Sequence, residues 1–159
     1  MADRTCQQFQ LYAAEANLPL GEVFDTLDEL QAFVDGLRDL SVWRRQYADV
    51  MRVECHLRPS GSGSVGGWRE ESGCGIIEML TPHRNELFVL HEVAHVLAAA
   101  RYGSHAHDPW FARTYLELVY EAMGSEAYAA LAKSFADHGI DHDHDSGIPS
   151  GIVLPREER

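Results

Sequence analysis

Apolar positions set the first elements. Cys6, Phe9, Ala13 and Ala16 recur at helical spacing, which predicts a first helix over residues 4–16. Thr26-Leu-Asp-Glu29 has the form of a capping box. Leu27, Leu30, Phe33, Val34 and Leu37 then make one apolar stripe, so a second helix runs to about Leu40, with a short helical piece over residues 42–47. Near Met51 the period changes from helical to alternating. Met51, Val53, Cys55 and Leu57 alternate with Arg52, Glu54 and His56, the pattern of a strand with one buried face. Glycine and serine fill residues 58–67, which predicts a mobile turn. Residues 68–71 are a candidate strand, and residues 75–80, with Ile76, Ile77 and Leu80, make another.

Thr81-Pro82 is a helix-start signal and Gly103 a stop, which together predict an amphipathic helix from Thr81 to about Arg101. Residues 105–109 form a short connection. Phe111, Tyr115, Leu118 and Val119 predict a helix over residues 110–123, and Ala129, Leu131, Ala132 and Phe135 another over 125–138, ending at Gly139. The order is helices, a small sheet, then helices, an α+β domain. One domain over residues 1–140 and a polar tail over 141–159 are expected.

The candidate chemistry lies inside the long predicted helix, at His91-Glu92-Val93-Ala94-His95. Residues four apart share a helix face, so both imidazoles can address one metal ion. Glu92 projects from a neighbouring angle, where it can take a proton from a metal-activated water without ligating the metal, and pass it to a leaving nitrogen. Zinc suits this arrangement, because it lowers the pKa of water towards neutrality. A catalytic zinc needs a third protein ligand. Residues 98 and 101 are Ala and Arg, so the extended metzincin pattern of Gly and His fails. His107, His105 and Glu117 remain as candidates. His107 is favoured, because Asp108-Pro109-Trp110-Phe111 begins a helix whose aromatic rings can clamp it to the core.

Composition narrows the picture. The chain has 159 residues, of which 45% are hydrophobic and 24% charged, as expected of one soluble domain. No apolar run approaches the roughly 20 residues that span a bilayer, so no membrane partner is expected. The opening MADRTCQQFQ has no apolar signal-peptide core, which predicts a cytoplasmic location. The three cysteines are scattered and form no CxxC pair, which argues against a disulfide framework or a cysteine zinc site. A net charge of −12 repels phosphate backbones, so no nucleic-acid partner is expected.

HEVAHVLAAA followed by HDPWFARTYLELV resembles the SprT-like branch of the zincins, where a third histidine stands in an H-G-x-x-F or H-G-P-x-F element. The chain is most similar to a small actinobacterial and actinophage group of metallohydrolases. Leu11-Tyr-Ala-Ala-Glu15 and Val42-Trp-Arg-Arg45 also match that group. The resemblance spans about residues 4–140. It implies a minimal zincin fold, with a short twisted sheet packed on the active-site helix. It also implies His91, His95 and His107 as zinc ligands and Glu92 as base. The chain departs from the pattern at Asp108, where glycine is usual. That aspartate either caps the next helix or hydrogen-bonds a ligand histidine.

Two function classes follow: a zinc metallopeptidase acting on a peptide or protein substrate, or a non-catalytic zinc-containing module that binds a partner. The glutamate between the histidines favours the enzyme, since a structural site has no use for it. A metal-free helical domain is a third. Tyr102, His105 and Tyr115 are candidate oxyanion donors, and spacing selects none of them. Residues 60–67 and the strand edge at 75–80 are expected to flank the substrate groove. Asp141-His-Asp-His-Asp145 reads as a solvated tail rather than a metal site.

Overall fold

The computed structural model describes residues 11, 13–61 and 63–142. Thr26 caps helix α1 (Leu27–Gly36) as the capping box predicts: its hydroxyl accepts from Glu29 N, and the Glu29 carboxylate accepts from Thr26 N. A 3-10 turn at Leu37–Asp39 and helix α2 (Ser41–Gln46) follow.

Strands β1 (Arg52–Arg58), β2 (Val65–Arg69) and β3 (Cys74–Leu80) form a sheet of order β1-β3-β2. β1 runs parallel to β3, and β2 antiparallel. The alternation predicted for β1 holds at its centre, where Val53 and Cys55 are buried, while Met51 and Leu57 are exposed. The Gln31 amide on α1 donates to Val53 O and accepts from Cys55 N, both at 2.9 Å. The side chain thereby covers the outer edge of β1 at Val53 and Cys55. Among the described residues β2 pairs only with β3, so the open edge of the sheet is β2. The edge expected at residues 75–80 is instead the central strand.

Val65, Gly66 and Gly67, assigned by composition to a turn, belong to β2. The glycines have a packing cause. A Cβ on Gly66 would collide with the backbone oxygen of Glu92, and one on Gly75 with the Val96 side chain. Without side chains there, the sheet lies directly on the helix beneath.

That helix is α3 (Glu86–Tyr102). Thr81-Pro82 opens only a 3-10 turn, Thr81–His83. Asn85 begins α3 instead, accepting from Phe88 N at 3.0 Å, and Gly103 ends it with φ of 65°. The later start has a physical reason. Asn85 is held extended in a bridge to Val23, and its neighbours are tied to residues 20–24, with Phe24 N donating to Arg84 O at 2.8 Å, Glu86 N to Glu22 O at 3.0 Å and Leu87 N to Leu20 O at 3.1 Å. Nor is α3 amphipathic. Leu87, Val89, Leu90, Val93, Ala94, Val96, Leu97 and Ala98 are all buried, as in a helix surrounded by the rest of a domain.

Helices α4 (Pro109–Met123) and α5 (Ser125–Asp137) complete the core with Phe111, Tyr115, Leu131 and Phe135. The predicted first helix lies partly outside the described residues, including Cys6 and Phe9; residues 13–15 are helical. Its buried side is not the predicted stripe. Ala13 and Ala16 are exposed, while Leu11, Ala14 and Glu15 are buried. α5 fixes this phase, with Ser134 Oγ donating to Ala14 O at 2.6 Å. Of the predicted tail, Asp143 onward lies outside the described residues. Among the described residues no helix is long and apolar enough to cross a membrane.

Candidate metal centre

His91 and His95 stand one turn apart on α3, with ring centroids 5.1 Å apart. The αL geometry of Gly103 turns the chain back, so that the loop before α4 crosses this face. Asp108 caps α4, accepting from Phe111 N at 3.0 Å and from Ser104 Oγ at 2.7 Å. Its carboxylate is thus a helix cap, the first of the two roles expected for it. Trp110 stacks on Tyr102 at 4.2 Å and fastens the start of α4 to the end of α3. Between these anchors His107 places its Nε2 3.1 Å from His91 Nε2 and 2.9 Å from His95 Nε2.

The nitrogens of His91, His95 and His107 all lie within 4.8 Å of one another and could hold a metal ion. Tetrahedral bonds of roughly 2.0–2.1 Å would set such nitrogens roughly 3.3 Å apart, so the rings need spread by only a few tenths of an ångström. Phe111 forms the floor, 5.0, 4.3 and 4.9 Å from the His91, His95 and His107 rings.

The electrostatics favour ligation. Burial, then the neighbouring His91 and His107, hold the His95 imidazole well below its usual range. Burial and His91 push His107 down to about 3. Neutral rings keep the lone pair that a metal needs. His91 differs. Burial pulls it down, but the charge and hydrogen bond of Glu15, with the Glu92 carboxylate, together outweigh burial and the net direction is up. Glu92, only 6% exposed, is raised by burial, with His91 opposing and Glu15 adding to the shift. A carboxylate so raised is a better proton acceptor than one in water.

Glu15 is the site residue that sequence reasoning missed. Its Oε1 lies 2.6 Å from His91 Nδ1, with the side chains 1% and 2% exposed. The available signal was a carboxylate four residues after Leu11, on the buried side of a helical segment. The predicted stripe had placed that side elsewhere.

The other candidates are dispersed. His105 is exposed and stands apart from the cluster. Glu117 pairs with Arg113 Nε at 3.0 Å. Six residues beyond Phe111, it lies on a different side of α4 from the ring floor, which excludes it from the centre. Tyr115 is fully buried and donates to Leu87 O at 3.0 Å. Tyr102 is occupied by its stack with Trp110. His83, not among the predicted site residues, stacks on Phe88 at 5.0 Å, and its Nδ1 lies 2.9 Å from Ser64 Oγ. Phe88 shares a helix stripe with His91, Glu92 and His95, so this pair stands at the N-terminal end of the same face.

Comparison with protein-family models, with curated proteins and with solved structures gave no match to this chain.

Proposed function

We propose that this chain is a zinc-dependent hydrolase, a metallopeptidase in which His91, His95 and His107 hold the ion and Glu92 is the general base. The observation that carries this is the convergence of three imidazole nitrogens beside a buried, proton-seeking glutamate. Three histidines from a helix and the following loop are a donor set suited to zinc with one open position. The bound ion would supply Lewis acidity, polarising a carbonyl and easing deprotonation of water.

Glu92 takes the proton of the attacking water and returns it to the departing nitrogen. Phe111 keeps the ligand rings in place and excludes water from beneath them. The open edge of β2, seated on the Glu92 backbone through Gly66, can accept an extended peptide as a further strand. That supports a peptide or protein over a small-molecule substrate.

The test is Glu92→Gln assayed against a quenched-fluorescence peptide library. The variant should keep one equivalent of zinc while hydrolysis falls by about 10²–10⁴-fold. Wild-type protein that binds zinc but cleaves no peptide would replace the enzyme with a non-catalytic partner-binding module.

A further inference from the structure

We infer that Glu15 is a positioning residue of the metal centre, and that the N-terminal segment carrying it is a working part of that centre. The inference rests on the metal-binding half of the function proposed above. His91 and Glu15 are 76 residues apart in sequence, yet Nδ1 and Oε1 meet at 2.6 Å where neither side chain reaches solvent. A buried carboxylate carries a heavy desolvation cost unless its charge is balanced. Glu15 Oε2 is also buried and has no hydrogen-bond partner among the described residues. A dication on the far side of the His91 ring would balance that charge through the imidazole.

The contact also fixes the chemistry of the ring. With its proton on Nδ1, donated to Glu15, His91 offers the Nε2 lone pair to the point where the other two rings converge. Without the carboxylate either tautomer and a rotated ring become accessible.

The segment is held from both ends. Leu11 and Ala14 are buried in the core, Ser134 Oγ donates to Ala14 O at 2.6 Å, and residues 20–24 are paired to the start of α3. Metal and segment therefore share one equilibrium. Each stabilises the other through the same hydrogen bond.

The experiment is zinc affinity measured by competition with a chromophoric chelator, on full-length wild type, Glu15→Gln and Glu15→Ala, with metal-free melting curves in parallel. Zinc affinity should fall by about 10–100-fold in both variants. The metal-free melting temperature of Glu15→Gln should fall modestly, because the ion-pair contribution is lost while the amide oxygen can still accept from His91 Nδ1, and the curves check that the variant stays folded. Zinc should slow amide exchange over residues 13–24 in wild type and lose that effect in Glu15→Gln. Unchanged affinity in folded Glu15→Gln would overturn the positioning role, leaving the contact a structural ion pair. Wild type that fails to bind zinc would instead sink the metal reading itself.

Discussion

Three histidines of one cluster sit in different electrostatic states, and the difference predicts how metal binding depends on pH. His95 and His107 are already neutral when the centre is empty, because burial and a nearby imidazolium disfavour their charge. His91, against the pull of burial, is held above its ordinary 6.5 by Glu15 with help from Glu92. An incoming ion therefore competes with one proton, at His91. Affinity should rise with pH through the raised His91 value and level off above it, with about one proton released per ion bound below it. Calorimetry in two buffers of different ionisation enthalpy counts those protons. Release of two or three would mean that His95 and His107 are charged in the free protein. Stability of the metal-free protein carries the opposite sign. The His91–Glu15 pair contributes fully below 6.5, and that contribution is lost as pH rises through the raised folded value.

Contact between elements turns on Gly66, where β2 rests on the α3 backbone at Glu92. Gly66→Ala must push strand and helix apart, an overpacking change costing about 1–3 kcal/mol. Gly67, one residue on, has nothing within 4 Å of an added Cβ, so Gly67→Ala serves as the control. Urea denaturation of the two variants should show a loss of stability for Gly66→Ala well beyond that of the control. Under the proposed function, peptide hydrolysis should fall with it, since β2 carries the open edge beside Glu92, the proposed base. At this scale the sequence is legible where a signal is local. The Thr26–Glu29 cap, the alternation in β1 and the stop at Gly103 are each written in a few neighbouring residues. It misleads where a distant segment decides. Thr81-Pro82 and Asn85 both resemble helix starts, and the pairing of residues 84–87 with 20–24 selects the second. Gly66 and Gly67 look like turn residues until the helix beneath them is seen.

Across the whole molecule the centre gathers three histidines and two glutamates at the junction of the sheet, α3, α4 and the N-terminal segment. Filling it should tie these parts together. At zinc 100-fold above its dissociation constant the folded state gains about 2.7 kcal/mol, a rise in melting temperature of about 5–10 °C that a chelator reverses. Scanning calorimetry with and without chelator checks this. A melting temperature indifferent to zinc would show that the cluster does not hold the ion in the folded state.

The sequence alone determined the pair His91 and His95 and the glutamate between them, because helical periodicity converts spacing into a shared face with no help from the rest of the chain. It also brought His107 to the fore, since a stop at Gly103 and a start at Pro109 leave the loop little choice but to turn back. Tertiary structure decided the rest: Asp108 as a cap, Glu117 turned away, the edge at β2, and Glu15 as the carboxylate behind His91. Those depend on contacts between residues far apart in the chain, and local spacing holds no record of which distant partner a buried side chain will meet.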